Sequence, residues 1–216
     1  MPHANNVETR AMQIVQLLKE TYPESHVTLK ARNPFEVLVA TILSAQSTDA
    51  QVNRVTQTLF RKYRNAESFA TTDLHQLELD IFAVGYYRQK ARYIQTTCQM
   101  LIQQFDGKVP RTMDELLSLH GVGRKTANIV LTRAFGIVEG IAVDTHVFRI
   151  SRRLELTAGS TPEKVEQDLM KILPKQLWGI INQLFITFGR HICQARDPQC
   201  NICPIVSLCP YGQRQN

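Results

Sequence analysis

The residues that could do chemistry lie in three stretches, and the first is LHGVGRKTANIV, residues 119–130. Gly121 and Gly123 can adopt positive φ and let backbone N–H groups approach a ligand closely. The positive end of the following helix adds to those donors, so the stretch can bind phosphate. A nucleotide P-loop needs glycine before the lysine and a strand before the loop. Arg124 and a preceding helix exclude it. A helix–hairpin–helix that binds nucleic-acid phosphates remains, beside a plain helix–helix turn.

The second candidate group consists of Lys125, in the first turn after the hairpin, and Asp144, within IAVDTHVFRI. A first-turn lysine is usually a solvated cation. As a nucleophile, its free amine would attack an aldehyde carbon and form a Schiff base. Asp144 suits the N-cap of a predicted helix. The same carboxylate can handle protons or stabilise a cationic sugar beside the lysine. The residues alone leave both interpretations open.

The third stretch is CQARDPQCNICPIVSLC, where four of the five cysteines have the spacing C-x6-C-x2-C-x5-C. They are Cys193, Cys200, Cys203 and Cys209. Thiolates bind soft metals, and four irregularly spaced thiolates are typical of iron–sulfur clusters. Structural zinc is the alternative, although zinc modules usually pair two C-x2-C units. Cys98, on an apolar helix face, is predicted to be a small buried hydrophobe.

Composition narrows the class of protein. The 216 residues are 44% hydrophobic and 20% charged, as in ordinary globular proteins. The formal net charge of +6 favours a polyanionic partner. No apolar run approaches the roughly 18 residues of a membrane-spanning helix, and the polar N-terminus lacks the apolar core of a signal peptide. We therefore expect a cytoplasmic protein with reduced cysteines and no membrane partner.

Helix signals recur along the chain and convincing alternating strands do not, so we predict an all-α protein. The expected N-caps are Asp49, Thr72 and Thr112, and Thr112 also fits a capping box with Glu115. The predicted helices cover residues 7–22, 34–47, 50–63, 73–79, 89–105, 113–119, 125–135, 144–154, 161–173 and 174–189.

The three stretches, in this order and at these separations, resemble the endonuclease III family of base-excision DNA glycosylases. LSAQSTD, residues 43–49, and VGYYRQKA, residues 84–91, also correspond to segments of that family, so the resemblance covers essentially the whole chain. It implies a helix–hairpin–helix DNA glycosylase fold of two helical domains with a DNA-binding cleft between them. A six-helix barrel domain would span residues 27–137. An iron–sulfur cluster domain would combine residues 1–26 and 138–216.

The resemblance also implies an activity. The family flips a damaged base out of the duplex, cleaves its glycosidic bond and cuts the abasic site by β-elimination. Lys125 corresponds to the nucleophile that forms the Schiff base, Asp144 to the catalytic carboxylate, and the four C-terminal cysteines to the ligands of a [4Fe–4S] cluster. The expected partner is double-stranded DNA with oxidised pyrimidines or abasic sites. The expected enzyme is a cytoplasmic monomer, nucleoid-associated in a prokaryotic cell.

DNA contacts follow from the same resemblance. Gln46 corresponds to the residue inserted where the flipped base leaves the stack. Asp49 corresponds to a polar residue near the lesion pocket, although helix capping explains it equally well. Tyr86 stands where a smaller aliphatic wedge is common, and stacking of a base on its ring would contribute about 1–3 kcal/mol. His120 stands where the family commonly has proline. The rest of the expected contact set is Gly121, Val122, Gly123 and Arg124.

Four other functions compete with this interpretation. One is an abasic-site lyase with weak glycosylase activity. An adenine-specific mismatch glycosylase generally lacks the hairpin lysine and has a further C-terminal domain, whereas this chain has Lys125 and ends seven residues after Cys209. A non-catalytic helix–hairpin–helix DNA-binding protein is opposed only by the pairing of Lys125 with Asp144. An electron carrier would need neither the hairpin nor the basic charge.

Overall fold

A computed structural model of the chain describes residues 3–25 and 29–215, and all regular elements within them are helical. The all-α prediction is confirmed. Two short 3-10 helices, Cys200–Ile202 and Val206–Leu208, lie near the C-terminus. The α-helices of these residues, in chain order, are α1 His3–Thr21, α2 Pro34–Ser44, α3 Asp49–Lys62, α4 Ala66–Thr71, α5 Leu74–Asp80, α6 Tyr87–Phe105, α7 Met113–Ser118, α8 Arg124–Phe135, α9 Thr145–Arg153, α10 Pro162–Ile172, α11 Lys175–His191 and α12 Pro210–Gln213.

Two of the predicted N-caps are one residue away from the observed ones. Thr48 caps α3 by accepting the N–H of Gln51, so Asp49 is the first residue of that helix and not its cap. Asp73 caps α5, whereas Thr72 is the C-cap of α4, a helix that the sequence analysis did not predict. In both places two adjacent residues are good caps. The chain path decides between them, and sequence preference does not.

The predicted capping box at the start of α7 forms only in part. The Thr112 hydroxyl accepts the N–H of Glu115 at 3.4 Å, which confirms Thr112 as the N-cap. The same hydroxyl donates to the Glu115 carboxylate at 2.6 Å. In a complete box that carboxylate would accept the backbone N–H of the cap. A complete box occurs instead at the start of α4, between Asn65 and Ser68.

The described residues form two compact units. Unit 1 consists of the described residues of Met1–Val27 and Gly140–Asn216, and unit 2 of those of Thr28–Glu139. The expected boundary between residues 26 and 27 lies outside the described residues. Among the helices that the structure describes, none has the length and apolar character needed to cross a membrane.

Each unit has its own hydrophobic core. In unit 2, α2 is buried over seven consecutive residues from Val37 to Leu43, as expected for a helix that is apolar on nearly every side. Cys98 of α6 belongs to this core and is fully buried, which raises the pKa of its thiol to about 12. The prediction that Cys98 acts as a small hydrophobe is confirmed. In unit 1, α1, α9 and α11 contribute Ile14, Val147 and Phe185 to the core.

Candidate nucleic-acid interface and cysteine pocket

The hairpin between α7 and α8 uses its two glycines differently. Gly121 has φ +77°, and a Cβ atom there would lie 2.8 Å from Cγ of Tyr93, so only glycine fits. Gly123 has φ −91° and is the N-cap of α8, so the expectation of positive φ is wrong for this residue. A Cβ atom on Gly123 would meet no described atom within 4 Å. The backbone N–H groups that begin α8 are therefore open to a ligand at the end of the helix that favours anions.

Helix α6 packs against the hairpin and contacts it through two side chains. The Thr97 hydroxyl donates to the carbonyl oxygen of His120 at 2.5 Å. The Tyr93 ring meets the His120 imidazole edge to face, with 5.0 Å between centroids. Val122 is buried, whereas its neighbours in the hairpin are exposed. Sequence reasoning missed Tyr93 and Thr97, although their i, i+4 spacing indicates a shared helix face.

The two candidate catalytic residues occupy helix starts in different units. Lys125 is exposed in the first turn of α8, in unit 2. Asp144 is the N-cap of α9, in unit 1, and its Oδ1 accepts the N–H groups of His146 at 2.8 Å and Val147 at 2.9 Å. The N-cap interpretation of Asp144 is confirmed. Its catalytic pairing with Lys125 stays a prediction.

Gln46 and Tyr86 lie in two loops that contact each other: the α2–α3 loop, residues 45–48, and the α5–α6 loop, residues 81–86. Both residues are exposed and adopt left-handed backbone conformations, with φ +52° for Gln46 and +55° for Tyr86. Such values are uncommon for residues other than glycine. The backbones approach closely, because a Cβ atom on Gly85 would lie 3.0 Å from the Gln46 carbonyl oxygen. The structure thus brings together two predicted DNA contacts from distant parts of the chain.

A buried lysine that sequence reasoning missed lies beneath these loops. Lys90 of α6 is only 4% exposed, and its Nζ donates to the Leu43 carbonyl oxygen at 2.7 Å and to the Ser47 hydroxyl oxygen at 3.0 Å. Burial lowers the pKa of the Lys90 ammonium from 10.5 to about 8. The unfolded chain therefore binds more protons between pH 8 and 10.5, and the contribution of Lys90 to stability rises with pH across that window.

The four C-terminal cysteines line one pocket in unit 1. The groups that donate to their sulfur atoms include the N–H of Gly212, 3.3 Å from Sγ of Cys209, and the Arg153 guanidinium, 3.3 Å from Sγ of Cys193. Burial raises the pKa of the Cys203 thiol to about 11, so binding of a metal by its thiolate releases a proton. As placed, no group of three or more His, Cys, Asp or Glu side chains in residues 3–25 and 29–215 could hold a metal ion.

Two arginines of α9 hold the loop that begins at the first of these cysteines. Arg149 donates to the carbonyl oxygen of Cys193 at 3.0 Å. Arg153 donates to the carbonyl oxygens of Gln194 at 2.6 Å and Ala195 at 2.8 Å. Because Asp144 caps the N-terminus of α9 and Arg153 is its last residue, one short helix connects the candidate carboxylate with the cysteine pocket.

The hairpin between α7 and α8, together with the helices that support it, places this chain in the class of helix–hairpin–helix proteins. A family model described as "HhH-GPD superfamily base excision DNA repair protein" matches residues 39–175. Endonuclease III of Synechocystis sp. is 47% identical over 204 residues, which cover 94% of this chain and 93% of that protein. Endonuclease III of Bacillus subtilis is 47% identical over 198 residues, covering 91% and 90%.

A solved structure of endonuclease III is also similar to this chain, both in fold and in sequence. It is a trapped covalent intermediate of endonuclease III with DNA, an estranged-adenine complex, with a TM-score of 0.90 and 46% identity over 100% of this chain and 99% of that one. The chain therefore belongs to the HhH-GPD superfamily of base excision DNA repair proteins, and within it to the endonuclease III family. The resemblance drawn from the sequence motifs is confirmed.

Proposed function

We propose that the chain removes oxidised pyrimidines from double-stranded DNA as a glycosylase and cleaves the resulting abasic sites as a lyase. The observation that carries this proposal is the position of Lys125. Lys125 is exposed in the first turn of α8, directly after the hairpin. Gly123, the N-cap of α8, has no side chain to cover the N-terminus of this helix. A phosphate bound at that N-terminus keeps the DNA strand beside the lysine that attacks it.

In the proposed reaction, the free amine of Lys125 attacks C1′ of the damaged nucleotide. The bond from C1′ to the base breaks, and the base leaves with the electron pair and takes up a proton. The Asp144 carboxylate accepts a proton from the attacking amine. The C1′–O4′ bond of the sugar ring then breaks, O4′ takes up a proton, and the C1′ imine forms. Loss of a proton from C2′ then expels the phosphate on C3′, which cuts the strand. Water hydrolyses the imine and restores Lys125.

The DNA contacts form part of the same proposal. Gln46 fills the space that the flipped base leaves, and Tyr86 stacks against the orphaned base or its neighbours. Their exposure and the contact between their loops support this, because both can enter the DNA at one place. We assign unit 2 as the barrel domain and unit 1 as the iron–sulfur domain. The proposed enzyme is a cytoplasmic monomer that acts on the chromosome.

The test is a borohydride trapping and strand-cleavage assay on two duplexes, one with an abasic site and one with an oxidised pyrimidine. We expect the wild-type protein to give a covalent adduct and a cut strand with both, because imine formation follows base removal. Adduct on the abasic duplex alone would favour a lyase with weak glycosylase activity. Binding without adduct on either duplex would contradict the proposal and favour a non-catalytic DNA-binding protein.

The four cysteines of the pocket are the proposed ligands of a [4Fe–4S] cluster. Their common pocket and the donors to Cys193 and Cys209 support this, because hydrogen bonds to sulfur stabilise the thiolates that bind iron. A bound cluster would crosslink the C-terminal segment. The residues around it, including exposed Arg196, would then be fixed as a basic loop against the DNA backbone.

Replacing Cys203 with serine should remove most of the iron from the purified protein, because the cluster loses a thiolate ligand. Metal analysis of the wild-type protein should find about four irons per chain, with a brown colour. Cys98→Ala is the matched control: Cys98 is buried in the core of unit 2, and its variant should keep the wild-type iron content. Zinc in place of iron in the wild-type protein would contradict the cluster assignment.

A further inference from the structure

One buried ammonium connects the α2–α3 and α5–α6 loops. The Ser47 hydroxyl oxygen accepts two hydrogen bonds, from Nζ of Lys90 at 3.0 Å and from the backbone N–H of Gly85 at 3.1 Å. Lys90 Nζ also donates to the carbonyl oxygen of Leu43 at 2.7 Å. The ammonium is thereby bonded to the end of α2, to the loop that follows it and, through one hydroxyl, to the loop before α6.

The two loops also meet without the lysine. The Gln51 side-chain amide donates to the Ala83 carbonyl oxygen, which links the first turn of α3 to the α5–α6 loop. The close approach of Gly85 to the carbonyl of Gln46 adds a backbone contact. The loops therefore form one surface, and a shift of either one moves the other.

This surface holds two residues in costly conformations. Left-handed φ at non-glycine residues is energetically unfavourable and persists where the surroundings impose it. Gln46 and Tyr86 both have such φ values. Gln46 precedes Ser47, whose hydroxyl oxygen accepts a hydrogen bond from Lys90. Tyr86 follows Gly85, whose N–H donates to the same hydroxyl oxygen. Tyr86 is 63% exposed, so its ring is not held by packing against the core. The hydrogen bonds beneath the loops are thus the contacts that fix where these two side chains point.

The chemistry of the contact favours an ammonium over an apolar residue. Leu43 supplies one of the last carbonyl groups of α2, at the end of a helix that favours cations. An ammonium has three donors, enough for both oxygen atoms that Lys90 contacts. Burial of a charge is costly, and the lowered pKa of Lys90 reflects this cost. Stability alone is a poor reason for a lysine at this position.

We infer that Lys90 is a positioning residue for base extrusion: it holds Gln46 and Tyr86 so that both enter the duplex together. The inference rests on the proposed function and deepens it, because it identifies what sets the geometry of the extruding residues. Lys90 is not a catalytic residue, since its ammonium is buried and donates to protein oxygen atoms. It acts on the step that moves the base, and not on imine formation.

The test compares Lys90→Met on two duplexes. On a duplex with an oxidised pyrimidine, the single-turnover excision rate should fall by about 10- to 100-fold, because small misplacements of positioning groups have effects of this size. On a duplex with an abasic site, which has no base to extrude, borohydride trapping should fall by less than about threefold. Lys108→Met is the matched control, because Lys108 is exposed beyond the end of α6. It should match wild type in both assays.

A second variant and a double-mutant cycle keep the inference testable if Lys90→Met unfolds. Ser47→Ala removes the hydroxyl shared by Lys90 and Gly85 but leaves the bond from Lys90 to Leu43. It should lower excision by about 3- to 10-fold and leave trapping on abasic DNA unchanged. Tyr86→Ala combined with Ser47→Ala should slow excision by less than the product of the two single effects, because part of the Ser47→Ala effect acts through Tyr86.

The results that overturn the inference differ from those that overturn the proposed function. Equal losses of Lys90→Met or Ser47→Ala on the two duplexes would show a general effect on folding or binding. Losses that add in the double variant would show that Ser47 and Tyr86 act independently. Either result, with an active wild-type enzyme, removes the positioning role of Lys90. A wild-type protein that gives no adduct on either duplex removes the proposed function itself.

Discussion

Lys125→Ala should abolish the borohydride-trapped adduct with abasic-site DNA and slow strand cleavage by about a thousandfold or more. The proposed reaction has one nucleophile, and alanine has no amine to form the imine. Lys125 is exposed, so the midpoint of thermal unfolding should change little. Trapping on denaturing gels, single-turnover cleavage and a thermal melt together measure the three quantities.

Lys125→Arg separates the charge of this residue from its chemistry. Arginine keeps a cation in the first turn of α8, so affinity for DNA should stay within about threefold of wild type. The guanidinium stays protonated and cannot act as the amine nucleophile, so the adduct should still be lost. Adduct at the wild-type level in either variant would assign the imine to another amine. Loss of affinity together with loss of adduct in Lys125→Arg would mean that the lysine mainly binds the strand.

The parts of the site that the sequence predicted correctly depend on local interactions. A glycine hairpin followed by a helix is encoded within about a dozen residues, and the N-cap role of Asp144 depends on N–H groups two and three residues away. The cysteines that line one pocket lie within a single short segment. Such features can be predicted from a short stretch of sequence, because the groups that interact lie close together along the chain.

The features that were missed depend on contacts between distant segments. Lys90 bonds a carbonyl 47 residues earlier in the chain, and a lysine within a helix is usually solvated, so its burial leaves no local signal. Thr97 bonds a carbonyl 23 residues later, beneath the hairpin. The φ of Gly123 was mispredicted because a glycine next to a helix start can serve either as a turn residue or as an N-cap.

Asp144→Asn should reduce base excision by about 10²- to 10⁴-fold and leave the thermal unfolding midpoint close to that of wild type. Asparagine is as good an N-cap as aspartate. Its side-chain oxygen can accept the same two N–H groups that Oδ1 accepts from His146 and Val147. The substitution therefore removes the negative charge and the capacity to take a proton, and it keeps the start of α9.

Two further variants separate the structural role of Asp144 from its chemical role. Asp144→Ala should lose activity as Asp144→Asn does and should also lose about 0.5–2 kcal/mol of folding free energy with the cap. Thr161→Ala removes the side-chain cap of α10 in the same unit, so it should lose similar stability and keep full excision at a permissive temperature. If Asp144→Asn excises at the wild-type rate, the carboxylate is a helix cap alone. The proton released by Lys125 then goes elsewhere, because a neutral amide cannot accept it.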